Sequence, residues 1–193
     1  MITTKVELQS YIQQDYIRNI GNVPFWRYLA LMFYKTDSYM VFRYLKNLRK
    51  YEYAINCLKC HSVLGNLTYV IRRIKWRRLS IKYNLLLPPN VIGPGFKIAH
   101  IVGGGIIVNC KSIGKNCSVN SGVVIGNNGG QDRIATIGDN VSISVGAKVI
   151  GDVTIGNNVV VAPNTVVIKD VPNNSIVSGV PAKIIKRDGV KVV

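Results

Sequence analysis

Residues 136–161 read TIGDNVSISVGAKVIGDVTIGNNVVV, and within them an aliphatic side chain returns every six residues, at Ile137, Ile143, Val149, Ile155 and Val161. The spacing extends backwards through Ile125, Val119, Ile113 and Ile107. The fifth place of the repeat holds a small or β-branched residue: Cys117, Val123, Ala135, Val141, Ala147, Val153, Val159 or Thr165. Glycine often follows the aliphatic residue, as in Ile113-Gly114, Ile125-Gly126, Ile137-Gly138 and Ile155-Gly156. A period of two marks a half-buried strand and 3.6 a helix, so a strict six is neither. It marks a solenoid of short strands joined by tight turns, three strands to a coil.

The architecture this pattern resembles is the left-handed parallel β-helix, an exception to the right-handed crossover preference. First-position side chains are expected to fill the prism, fifth-position ones to sit near its corners, and Asn116, Asn128, Asn140 and Asn158 to supply turn conformations. The fold expected is mainly β, with a basic, largely α-helical segment over 1–88, the β-helix over 89–172 and a tail over 173–193.

The chain has 193 residues, is 48% hydrophobic and carries a net charge of +16. That is enough for one repeat domain and one smaller segment. Arg43, Lys46, Arg49, Lys50, Arg72, Arg73, Lys75, Arg77, Arg78 and Lys82 crowd residues 42–83. Such a block suits an anionic membrane surface, a negatively charged substrate, nucleic acid or simply water as a solvated helical face. No nucleic-acid reader motif accompanies it, so no nucleic-acid partner is expected. In FRYLKNLRKYEYAINCLKC and LTYVIRRIKWRRLSIKY, apolar residues alternate with Lys and Arg at helical spacing, as in interfacial helices, although packing on the solenoid or a neighbouring subunit would show the same pattern. No apolar run approaches the roughly 20 residues that span a bilayer. With no secretory signal visible, a cytoplasmic protein is expected, with peripheral contact to the inner membrane face as an added possibility.

Cys57, Cys60 and His61 spell C-x-x-C-H, the haem-attachment string and a possible start of a zinc site. Haem attachment conflicts with the missing signal, and zinc lacks a fourth ligand nearby, so no metal is expected. Cys117 falls on an inward position and reads as a core residue, while Cys110, just before a turn, leaves open a covalent acyl-cysteine role.

Of two histidines, His100 stands at the start of the solenoid beside Gly103-Gly104-Gly105. An imidazole there can accept a proton from an attacking hydroxyl or amine, and glycines let a substrate approach the backbone. The surrounding segment, VIGPGFKIAHIVGGGIIVNCKSIGKNCSVNSGVVIGNN (91–128), resembles the hexapeptide-repeat acetyltransferases, in particular their serine-acetyltransferase-like branch, and TIGNNVVVAPNTVVIKDVPNNSIVSGVPAKIIK (154–186) resembles that superfamily's ending. The similarity covers residues 86–188; the N-terminal half is similar, more weakly, to members that serve surface-polysaccharide biosynthesis. The resemblance implies His100 as general base, direct transfer from acetyl-CoA without an acyl-enzyme, and a homotrimer with acetyl-CoA lying between subunits. The matching positions for acetyl-CoA are Val145, Gly146, Ala147, Pro163, Ile168 and Lys169, with Lys183 and Lys186 of the tail placed for its phosphates.

The chain departs from that branch where serine would bind. Leu85-Leu86-Leu87 stands where an aspartate lies about fifteen residues before the histidine, Ala99 where another precedes it, and Ile134 where a second histidine follows the retained Asp132-Arg133. Unpaired zwitterion charges cost several kcal/mol. The acceptor expected is therefore a hydroxyl of a saccharide or lipid-linked saccharide in surface-polysaccharide biosynthesis, contacted by Asn109, Asn120, Asp132 and Arg133, with Asn109, Asn120 or a backbone carbonyl orienting His100. Serine O-acetylation of cysteine biosynthesis is the alternative. A γ-class carbonic anhydrase, which shares the prism, needs three histidines and is excluded. A non-catalytic scaffold and an antimicrobial-modifying acetyltransferase, whose histidine sits in a projecting loop, remain as rivals.

Overall fold

The computed structural model describes residues 1–101, 103–127, 129 and 134–192. Four α-helices come first, α1 (Lys5–Asn19), α2 (Phe25–Phe33), α3 (Asp37–Tyr53) and α4 (Val63–Tyr83), with a π-helical turn at Ala54–Leu58 between α3 and α4. A capping box starts α1: the Thr4 hydroxyl accepts the Glu7 N–H while the Glu7 carboxylate accepts the Thr4 N–H. Asn84, at φ 53 and ψ 43, closes α4 in the left-handed conformation and turns the chain into the first strand.

The basic block does not act as one solvated face. Arg49 is fully buried. Its Nε donates to Asp15 Oδ2 at 2.8 Å, its Nη1 to Glu52 Oε2 at 3.1 Å, and Nη1 and Nη2 donate to the carbonyls of Ile92 and Gly93, each at 2.7 Å. The carboxylates are held in turn: Asp15 Oδ1 accepts the Phe96 N–H at 3.0 Å and Glu52 Oε1 the Asn90 N–H at 2.8 Å. Burial works against the guanidinium charge, but Glu52 and Asp15 outweigh it and raise the Arg49 pKa. One buried cation thus ties α1 and α3 to the mouth of the solenoid.

The strands are short: β1 (Leu85–Leu86), β2 (Lys97–Ala99), β3 (Ile106–Val108), β4 (Ser112–Ile113), β5 (Ser118–Asn120), β6 (Val124–Gly126), β7 (Thr136–Ile137), β8 (Ser142–Ile143), β9 (Lys148–Ile150), β10 (Thr154–Ile155), β11 (Val160–Val161), β12 (Val166–Val167), β13 (Ser175–Ser178), β14 (Lys183–Arg187) and β15 (Val190–Lys191). They form three faces, β1-β3-β6-β9-β12, β4-β7-β10 and β2-β5-β8-β11-β13, the last extended by β14 and β15. Pairing within the prism is parallel, and only β13-β14 and β14-β15 are antiparallel among the described strands. The result is a parallel β-solenoid of about four coils behind the helices, consistent with the left-handed β-helix expected.

The six-residue period places like on like. Val119 pairs with Ile143 and Ile143 with Val161, while Ile113 pairs with Ile137 and Ile137 with Ile155. All are buried. Each contributes roughly 1.5–3 kcal/mol of burial. Ile107 breaks the series. It pairs with Val124 rather than Ile125, is 45% exposed, and leaves Ile106 and Val108 as the inward residues of β3. Val108, the residue that pairs with Ile125, lies 17 residues before it where three repeats of six would take 18, and a one-residue slip turns a strand's side chains over.

Corners carry a second repeat. Asn116, Asn140 and Asn158 all sit at φ 57, as their turn role requires, and Asn140 Nδ2 donates to Asn158 Oδ1 while Asn158 Nδ2 donates to Asn174 Oδ1. At a neighbouring column the Asp139 carboxylate accepts the Lys115 N–H and the Asn157 side-chain oxygen accepts the Asp139 N–H, both at 2.7 Å. A Cβ on Gly114 would meet the Asp139 carboxylate and lie 2.6 Å from the Gly138 backbone. Gly114, Gly138 and Gly156 therefore make room for the side-chain ladder of the next coil, whereas a Cβ on Gly126 would meet only the Val124 side chain at 3.9 Å.

Candidate active site

β2 ends at Ala99, and His100 rounds the corner to the next face at φ 57. Its side chain is 77% exposed, and Nδ1 lies 3.9 Å from Oδ2 of Asp37. Asp37 opens α3. At that distance the two are not yet in direct hydrogen-bond contact. A carboxylate that closes to hydrogen-bond distance on this side favours the tautomer protonated at Nδ1 and leaves Nε2 as the basic nitrogen. Asn120 is the cross-strand partner of Ala99, and its Oδ1 accepts the Ser121 N–H at 3.2 Å.

The same corner recurs in later coils. The Gly146 N–H donates to Ser121 O at 3.0 Å and the Asn164 N–H to Val145 O at 2.9 Å. His100, Asn120, Val145, Gly146 and Pro163 consequently line one edge of the prism. Gly146, at φ 70, has the Asn164 side chain where its Cβ would be, and Val145 is exposed on the outside of the corner. Ala147 differs: its methyl is buried, its N–H donates to Ser144 O and its carbonyl accepts the Val124 N–H, so it shapes the corner without presenting a group outward. Asn109, Ile168 and Lys169 follow β3 and β12 and lie on the next edge, so Asn109 does not join Asn120 at His100. Lys183 and Lys186 are exposed on β14. Asp132 and Arg133 lie outside the described residues.

The glycine run is partly a packing requirement. A Cβ on Gly104 would come 3.0 Å from Gly122 N, and one on Gly105 would strike the Asn84 amide, whereas Gly103, at φ 102, has open space. Cys110 and Cys117 are buried. Burial pushes the Cys110 thiol up to about 12 and the Cys117 thiol up to about 11, which rules a thiolate nucleophile at Cys110 out at neutral pH. A thiol reagent is expected to modify exposed Cys60 quickly and half-buried Cys57 more slowly in the native protein, and all four cysteines after denaturation. Native-state labelling of Cys110 would contradict this placement. Cys57 donates to Thr3 O at 3.0 Å, and among the described residues no group of three or more His, Cys, Asp or Glu is placed to hold a metal.

A family model of the bacterial transferase hexapeptide, six repeats, matches residues 134–169. The matched stretch spans β7 to β12 of the solenoid. Curated proteins to which this chain is similar include serine acetyltransferases. That of Staphylococcus xylosus is 36% identical over 138 residues, 70% of this chain and 63% of the relative, and that of Staphylococcus aureus is 42% identical over 107 residues, 54% and 50% of the two. The chain thus spans half to just under two thirds of the length of these curated relatives. Among solved structures, the serine acetyltransferase of Neisseria gonorrhoeae superposes with a TM-score of 0.67 at 25% identity, covering 97% of this chain and 68% of that one. A serine acetyltransferase solved in complex with CoA gives a TM-score of 0.68 at 23% identity, covering 94% of this chain and 71% of that one, and so shows the shared fold.

These relatives overturn the expected saccharide acceptor and the role in surface-polysaccharide biosynthesis, because the names found at 36–42% identity are serine acetyltransferases. The physical reason lies in how charge was counted. Carboxylates are missing at fixed offsets along the chain from His100, whereas Asp37 approaches it from another element. No local signal marks Asp37 beyond the start of a helix after Thr36.

Proposed function

We propose that this chain is an acetyl-CoA-dependent O-acetyltransferase whose acceptor is serine. The observation that carries the reading is an exposed histidine with a carboxylate on its Nδ1 side, at the first coil of a solenoid related to serine acetyltransferases. His100 Nε2 takes the proton from the serine hydroxyl as that oxygen bonds to the acetyl carbonyl carbon. The carbon–sulfur bond then breaks, and the same Nε2–H returns the proton to the departing thiolate, giving O-acetylserine and CoA. Val145, Gly146 and Pro163 line the same edge for the acyl donor, while the exposed cations Lys169, Lys183 and Lys186 suit its phosphates. A trimer would bring a neighbouring subunit's edge against this one and complete the groove.

The test is CoA release from acetyl-CoA with and without L-serine. Turnover that depends on serine supports the reading, and acetyl-CoA consumption indifferent to serine would refute the acceptor. Asp37 serves as a positioning residue. Asp37→Asn is expected to lower kcat about 10- to 100-fold with little change in the KM for acetyl-CoA, since misorienting a base by about 1 Å costs on that order. Asp37→Glu should recover part of the loss. A fall in stability with kcat unchanged would mean that Asp37 only complements the N-terminal dipole of α3.

A further inference from the structure

The inner face of α4 is accounted for, with Leu79, Ser80 and Tyr83 buried and Trp76 packed against the core. Among the described residues the opposite face has no partner. At 3.6 residues per turn, Val63, Leu67, Val70, Ile71, Ile74 and Ile81 fall in one outward stripe along the helix, and each is between 46% and 89% exposed. Arg73 and Arg77 flank one side of that stripe, Lys75 and Lys82 the other, and Arg78 sits within it. The helix contains no Asp or Glu. Beside it an open groove of about 560 Å³ is lined by Ile71, Ile74 and Leu79 together with the cations Arg43, Lys75 and Arg78.

We propose that the outward face of α4 docks the protein on the surface of an anionic lipid bilayer. The occupant is chosen by charge. A second copy of α4 would set an all-cationic helix against another with no carboxylate on either, and like charges on facing flanks repel. Anionic headgroups neutralise both flanks while the aliphatic stripe enters the headgroup–acyl boundary, and the long Lys and Arg side chains reach back to the phosphates. The chain's charge of +16 adds attraction over a Debye length. Among the described residues no helix is long and apolar enough to cross a membrane, so α4 would lie in the plane of the surface. This inference is independent of the acceptor and of the activity.

The experiment is co-sedimentation of the full chain with vesicles of phosphatidylcholine alone or with about 30 mol% phosphatidylglycerol. Binding is expected only to the anionic vesicles and is expected to disappear as salt rises to about 0.5 M. Each cation near an anionic leaflet raises partitioning about fivefold, so the double reversal Arg73→Glu/Arg77→Glu should lower it more than about 25-fold. The substitutions Val70→Asn/Ile74→Asn, also on exposed positions, should lower it at least about tenfold. Hydrogen exchange should show α4 becoming protected only when anionic vesicles are added. Failure to bind, equal binding to both vesicles, or binding that ignores these substitutions overturns the proposal. So does protection of α4 without lipid that Ile74→Asn removes along with an oligomer, which would assign the face to a second copy, or retention of an acidic protein in place of vesicles.

Discussion

His100→Ala is expected to lower the rate of acetyl transfer by about 10²–10⁴-fold while leaving the fold intact, the range that a positioned general base supplies. The side chain is 77% exposed, so its removal opens no core cavity. What is lost is Nε2, the atom proposed to take the hydroxyl proton during attack and to return it to the leaving thiolate. The KM for acetyl-CoA should change little, because Val145, Gly146 and Pro163, the positions proposed for the donor, lie in later coils of the same edge. Steady-state CoA release under saturating acetyl-CoA and serine checks this, with thermal melting as the control for folding. A variant that keeps more than about half its activity would remove His100 from the chemistry, since no general base contributes so little.

Arg49→Ala carries the largest expected effect on stability. The guanidinium is fully buried and neutralises two carboxylates, Asp15 and Glu52, that are buried with it. Truncation leaves both without a cation and leaves the carbonyls of Ile92 and Gly93 without their donors. Breaking such a buried cluster costs about 3–5 kcal/mol. For a domain of this size that corresponds to a fall in Tm of roughly 6–20 °C. Adding Asp15→Asn and Glu52→Gln to Arg49→Met should recover part of the loss, because the cost lies in the stranded charges rather than in the absent side chain. A melting point within about 2 °C of the parent would show that the cluster is not needed.

The solenoid was legible because its determinants are local. Whether a side chain points into the prism depends on its place in a six-residue unit, and the turn preference of asparagine acts on its own φ. The buried rows through Ile113, Ile137 and Ile155 follow from that arithmetic. Ile107 shows its limit: the shortened turn after β3 keeps an aliphatic residue at the right count from Ile113 yet turns it outward, and only strand pairing reveals the slip. The glycine run read as a substrate approach proved to serve packing at Gly104 and Gly105.

Charge was the least legible property. Arg49 looks the same as Arg43 or Lys46 in a run of basic residues, because its partner Asp15 lies 34 residues away in sequence and one hydrogen bond away in space. The carboxylate beside His100 is likewise invisible until α3 is packed on the first coil. The sequence by itself determined the repeat, the three-sided prism, the corner asparagines and the histidine that stands at the prism's edge, since each is set by short-range sterics and burial. Only the tertiary structure decided which cations are buried and paired, which carboxylate faces His100 and which side of α4 is left uncovered. Those outcomes are set by Coulomb interactions and desolvation between groups that distant parts of the chain bring together.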